Sequence, residues 1–236
     1  MLNRTLLLVI LSGIMLGLGY YGVRSYAHSS QRNQKVWEFF ASPASYYQNT
    51  MKAGTKCGEA PFFFPTNGLV GYIWDDSFRP GHRHQGIDIF AGTDVGVTPV
   101  YAAYPGYLTR NADWKSSVIV RVPSDPLQPG RQVWVYYTHM ADPQGNSYIS
   151  EDFPPGVSEI PVQAGTLIGF QGNYSGDPNN PVGVHLHISV VKDNGMGYFM
   201  NELDINNTYD PSPYFGLALN ANTNQDDVPV CMPVAR

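Results

Sequence analysis

Four of the six histidines stand in three short patterns that also carry one carboxylate: HQGID at 84–88, YTH at 137–139 and HLH at 185–187. On an extended strand, residues two apart face the same side. His84, Gly86 and Asp88 therefore share one face, with Ile87 and Ile89 on the other. His185 and His187 share a face against Leu186 and Ile188, and Tyr137 shares one with His139. A fully extended span from His84 to Asp88 measures about 13 Å. That slightly exceeds the roughly 11 Å that two side chains and their metal bonds bridge. The chain has to bend between the two, and Gly86 is the residue that permits it.

Imidazole nitrogens and carboxylate oxygens are the donors of zinc sites with a catalytic role, where three protein ligands leave a fourth position to water. Two neutral imidazoles and one carboxylate around a divalent ion leave a net positive charge, which acidifies water and polarises a carbonyl. Two further histidines can then move protons or stabilise an oxyanion. Each pattern alone is commonplace, and a lone histidine is more often a structural residue; the weight lies in all three falling in strands. Spacing does not decide between His185 and His187 as ligand. His82, two residues before His84, is a rival by parity but breaks the four-residue spacing to Asp88 and is assigned a peripheral role at most. His28 lies in a polar stretch without companions.

The elements that must hold these residues are short and β-rich. Charged residues make up 14% of the chain, while it carries 24 glycines and 19 prolines, a balance that favours strands joined by turns over helices laced with ion pairs. Runs rich in Val, Ile and Tyr, punctuated by Gly, Pro, Asn and Asp, mark strands at Ile87–Phe90, Pro99–Ala103, Gly106–Thr109, Ser117–Arg121, Gln132–His139, Thr166–Phe170 and His185–Val191. No helical periods of 10–15 residues separate them, so the expected fold is mainly β, an antiparallel sheet or sandwich with long surface loops at 123–131, 141–162 and 173–183. A short helix is expected around Gln34 to Phe40, ended by Pro43. The net charge of −5, without any Lys/Arg cluster, excludes the electrostatic footprint of a nucleic-acid binder.

Leu6–Val23 is an uncharged run of 18 residues flanked by Arg4 and Arg24. As a helix it would span about 27 Å, close to the hydrocarbon thickness of a bilayer. That length favours an uncleaved membrane anchor over a signal peptide, although Ser25-Tyr26-Ala27 has the small-x-small pattern of a cleavage site; either way the remainder is extracytoplasmic. The expected organisation is an anchor or signal segment (1–27), a tether and entry segment (28–60), a catalytic domain (61–216) and a tail (217–236). Cys57 and Cys231 can pair in an oxidising compartment or remain free thiols; spacing does not choose.

The three patterns, in this order, resemble the HxGxD, YxH and HxH motifs of the lysostaphin/LytM zinc endopeptidases. The connecting text resembles that family too: TPVYAAYPGYLTR (98–110), VQAGTLIGFQGN (162–173), GVHLHISV (183–190) and YDPSPYF (209–215). The resemblance implies Zn²⁺ held by His84, Asp88 and His187, His139 and His185 as catalytic histidines, a lysostaphin-type β fold, and peptidoglycan as the substrate. Two segments depart from the family pattern: the longer stretch after YTH, and the Pro/Asn-rich NYSGDPNNPVG before HLH. Both are expected to line the substrate groove. The competing reading is a non-catalytic envelope scaffold or amidase activator of the same fold, which would be expected to lose ligands; here all five positions stand. D-alanyl-D-alanine dipeptidases, with His and Asp seven apart and a Glu before the last His, do not fit.

Overall fold

Alternation along the strands sorts side chains between a closed core on one face and a cleft on the other. The computed structural model describes residues 32–76, 81–224 and 227–231. The apolar run at 6–23 and His28 lie outside them, and among the described residues no helix is long and apolar enough to cross a membrane. Residues 32–41 form helix α1, followed by a 3-10 turn at Pro43–Asn49. The strands are β1 (Thr50–Met51), β2 (Gly68–Tyr72), β3 (Ile87–Phe90), β4 (Pro99–Tyr101), β5 (Gly106–Thr109), β6 (Val118–Val122), β7 (Val133–Thr138), β8 (Ile160–Val162), β9 (Leu167–Phe170), β10 (Leu186–Lys192) and β11 (Thr208–Tyr209). A single turn of helix, α2 (Ser212–Phe215), follows.

The main sheet runs β1-β2-β3-β10-β7-β6-β5-β8, with β11 pairing the far end of β10, and β4 and β9 form a two-stranded sheet of their own. Every pairing between these strands is antiparallel. One face of the main sheet sends Val70, Ile87, Ile89, Val118, Val120, Val133, Val135, Tyr137, Leu186, Ile188 and Val190 into the principal core. There they meet Val100 and Ile168 of the small sheet and the aromatic group Phe62, Phe64, Tyr214 and Phe215. This is the expected mainly-β antiparallel core, closed as a lopsided sandwich.

Among the described residues, the opposite face is covered at its two ends. On one side α1 lays Val36 and Phe39 on Leu69 of β2 and Phe90 of β3. On the other, Phe199 and Met200 of the β10–β11 connection pack with Ile119, Trp134 and Val191. The polar residues of β3, β7 and β10 lie between these two apolar banks. The 141–162 segment is not a surface loop throughout: it buries Ile149 and Phe153 and ends in β8, paired to β5. Strand β2 escaped the sequence pattern because glycines occupy two of its five positions. At Gly71 an added Cβ would lie 2.6 Å from the Phe90 ring and 2.7 Å from Val36, so the absence of a side chain is what lets α1 close on the sheet.

The two ends of the described chain are clamped together. Arg32 is buried and pairs through Nε with Asp76 at 3.0 Å, and its Nη2 donates to the Asn224 carbonyl at 2.8 Å. Cys57 and Cys231 form a disulfide with a Cα separation of 5.5 Å across 174 positions. Such a link removes a large loop-closure entropy from the unfolded chain. Replacing both cysteines by serine is expected to cost about 2–4 kcal/mol of stability, measured as a lower urea midpoint with a steeper slope, because the unlinked unfolded chain exposes more surface. Equal midpoints for variant and parent would show that the link does not stabilise the fold.

Candidate metal centre and cleft

Strand register brings two of the three proposed ligands side by side. His187 of β10 lies opposite Asp88 of β3 and opposite Thr138 of β7. The third comes from the turn before β3. His84 is held by a pair of backbone bonds to one neighbouring stretch: its N–H donates to Asp76 O at 2.8 Å, and its carbonyl accepts from Asp75 N at 2.8 Å. Gly86 has a different task from the one read in the sequence. A Cβ there would stand 2.2 Å from the Ile188 carbonyl oxygen, so glycine is required by the close approach of β10 rather than by a bend alone.

His84 Nε2, Asp88 Oδ1 and His187 Nδ1 form a triangle with edges of 3.1, 3.0 and 2.8 Å. The three residues are buried, and among the described residues they form a group able to hold a metal ion. A tetrahedral ion bound at about 2 Å separates its ligands by about 3.3 Å, so the triangle has the size of one face of such a site. The far ring nitrogens support the same reading. His84 Nδ1 lies 3.0 Å from the Ile73 carbonyl, which can only accept, so Nδ1 carries the hydrogen and Nε2 turns its lone pair inward. These donors fit zinc.

A positive charge has to sit among them. Burial would raise the Asp88 carboxyl, yet His84 and His185 nearby and the hydrogen bond from His187 hold it well below its ordinary range. Burial pulls the His187 imidazole down, but its hydrogen bond to Asp88 and the nearby carboxylate of Glu202 prevail and lift it to about 10. A proton on His187 meets the need for charge; a metal ion meets it in the proton's place, which makes metal uptake release a proton.

His139 and His185 flank the triangle. Their rings are 4.4 Å apart, and His139 is 6.2 Å from His187. His185 Nε2 stands 3.6 Å from Asp88 Oδ1. Each is oriented from behind by a carbonyl: His139 Nδ1 donates to Tyr174 O and His185 Nδ1 to Gly183 O, both at 2.6 Å. Both therefore leave Nε2 as the acceptor. Burial among other imidazoles lowers His139 to about 3, and burial lowers His185 despite the pull of Asp88; at neutral pH both are uncharged. His185 also stacks on Phe90, with ring centres 4.9 Å apart.

The parity of Tyr137 with His139 does not hold. Tyr137 is fully buried in the core, its hydroxyl accepting from Ala103 N at 2.9 Å, whereas His139 lines the cleft. The reason is local: β7 ends at Thr138, and His139 takes a left-handed conformation with φ 72°, an uncommon state for a residue with a Cβ. It turns the ring to the face that Thr138 and Tyr136 already occupy. Gly172 supports the manoeuvre, since a Cβ there would lie 2.2 Å from Ala141 O and 2.5 Å from His139 O.

The cleft is about 940 Å³, near the top of the range for small-molecule sites. Of the two departing loops only 173–183 lines it, through Tyr174, Ser175, Gly176, Val182 and Gly183. The 141–162 segment does not, because its apolar residues are spent on the core. His82 stands at the cleft edge, its ring 6.4 Å from His84. Residues absent from any motif also border it: Val36, Trp37 and Phe40 of α1, and Glu202. No spacing rule in the sequence marks them, since each reaches the site through tertiary packing.

No protein-family model and no curated protein sequence matches the chain. Solved structures do match over most of its length. They include the catalytic domain of the prophage-encoded M23 protein EnpA from Enterococcus faecalis, at 21% identity and TM-score 0.38 over 63% of this chain and 95% of that one. The catalytic domain of the antimicrobial peptidase lysostaphin from Staphylococcus simulans matches at 20% identity and TM-score 0.38, over 73% and 97%. A putative peptidase M23 from Pseudomonas aeruginosa matches at 19% and 0.38, over 79% and 61%. Similarity of this degree leaves the chemistry to be decided by the side chains.

The triangle predicts one tightly held zinc ion per chain, measured by metal analysis after dialysis. His84→Ala and Asp88→Ala are each expected to lose it, and His139→Ala to keep it. Loss of the ion from His139→Ala would move that residue into the ligand set.

Proposed function

We propose that the protein is a zinc-dependent endopeptidase that hydrolyses peptide bonds in the stem peptides or cross-bridges of bacterial peptidoglycan. The observation that carries this reading is the buried His84–Asp88–His187 triangle with two uncharged imidazoles beside it. The bond type and the substrate rest on the resemblance of the HxGxD, YxH and HxH motifs, and the catalytic unit is assigned to residues 61–216. The disulfide fits an oxidising, extracytoplasmic location, and we assign the anchoring role to the N-terminal apolar run.

A bound zinc ion supplies Lewis acidity toward a carbonyl oxygen and lowers the pKa of water. The chain's own residues do the rest. His84, Asp88 and His187 would hold the ion at the floor of the cleft. His139 and His185, each with Nδ1–H tied to a backbone carbonyl, present Nε2 to the same space and can take a proton and return it to the departing amine. The left-handed backbone at His139 and the carbonyl of Tyr174 keep that ring aimed without help from substrate. Phe90 shields one side of His185, which strengthens electrostatic interactions there.

His139→Ala is expected to lower turnover on purified peptidoglycan by about 10²-fold or more while the zinc content stays at one per chain. Mass analysis of fragments released with and without chelator identifies the bond. New amino termini within peptides support the proposal. Glycan strands freed with intact stem peptides would mean amidase chemistry instead. A folded, zinc-loaded protein that releases nothing would favour the scaffold reading.

A further inference from the structure

Glu202 belongs to none of the motifs, yet it stands directly behind a proposed metal ligand. Its Oε1 lies 3.5 Å from His187 Nε2, with 14% of the Glu202 side chain exposed. His187 Nε2 itself is buried and makes no hydrogen bond among the described residues. The other three imidazoles of the centre each have Nδ1 oriented by a backbone carbonyl. His187 is the exception, because it turns Nδ1 inward and leaves Nε2 outermost; the acceptor on that side is a carboxylate.

The segment that brings Glu202 there is built into the fold. Asp193, at its start, accepts from Gln132 Nε2 at 2.7 Å and Trp134 Nε1 at 3.0 Å. Met200 N donates to Lys192 O at 3.0 Å, and Phe199 and Met200 pack on Trp134 and Ile119. On the other side, Gln85 Nε2 donates to Leu203 O at 2.9 Å, which joins the residue after Glu202 to the residue after His84. The carboxylate is thus referenced to both β10 and the His84 turn.

We infer that Glu202 is a positioning residue for the metal centre: by drawing the His187 hydrogen to Nε2 it keeps the Nδ1 lone pair directed at the ion and makes that nitrogen a stronger donor. The inference rests on the zinc reading above. A carboxylate behind a ligating imidazole fixes its tautomer and ring orientation, and losing such a partner typically weakens metal affinity by about 10–100-fold. Glu202 touches no reacting atom, so its effect is exerted through His187.

The test is the zinc dissociation constant of the purified protein, measured by competition with a chromophoric chelator, for the parent, Glu202→Gln and Glu202→Ala. Both variants are expected to bind zinc about 10–100-fold more weakly, with the glutamine milder because its carbonyl can still accept. The thermal midpoint of the chelator-treated protein should be unchanged, and nitrogen-15 spectra of zinc-loaded parent should show His187 protonated at Nε2. Parent-like affinity in both variants would overturn the inference and leave the zinc reading intact. So would weakened binding accompanied by an equal loss of stability in the chelator-treated protein, since that marks a merely structural role. A parent that binds no zinc would sink the metal reading, and the role of Glu202 with it.

Discussion

One carboxylate oxygen buried among imidazole nitrogens is an arrangement that requires a positive charge. Asp88 Oδ1 has His187 Nδ1 at 2.8 Å, His84 Nε2 at 3.1 Å and His185 Nε2 at 3.6 Å. The rear nitrogens of His84 and His185 are committed to carbonyls, so those two rings can offer only lone pairs toward the centre. Lone pairs and a carboxylate crowded together in a buried place repel one another unless a proton or a metal ion lies between them. The surrounding sheet can be understood as the frame that keeps these groups from drifting apart.

That frame works by tight backbone approach. β3, β10 and β7 are adjacent, and the period of two puts Asp88, His187 and Thr138 in one row on the face away from the core. Two glycines permit the closest contacts. Gly86 lies against the Ile188 carbonyl, and Gly172 is wedged against the carbonyls of His139 and Ala141. A side chain at either would have to push apart the strands or turns that carry the histidines, so these glycines are part of the centre's geometry although neither has a group to contribute.

The apolar banks set the environment. α1 on one side and the Phe199–Met200 turn on the other leave a cleft between them, with aromatic walls and a polar floor. Phe90 serves both functions, packing under α1 and stacking on His185. Arg32 and the Cys57–Cys231 link tie α1 and the C-terminal stretch to the same body, which makes residues far from the motifs responsible for the shape of the cleft.

Much of this was legible beforehand, for a definite reason. Strand alternation is a local property, so the strands carrying Asp88 and His187 and the division into a polar and an apolar face follow from residue order alone. The spacing of HQGID, YTH and HLH and their resemblance to known zinc peptidases proposed the five residues now found together. What residue order could not supply was anything decided at a distance. Tyr137 and His139 looked like companions until the left-handed turn after Thr138 sent one to the core and the other to the cleft. Gly86 looked like a hinge, whereas β10 passing beside it explains the glycine. The 141–162 segment looked like a groove loop, but Ile149 and Phe153 draw it into the core. Trp37, Phe40 and Glu202 carry no local signature at all, because a wall or a carboxylate acquires its role only when packing brings it against residues remote in the chain.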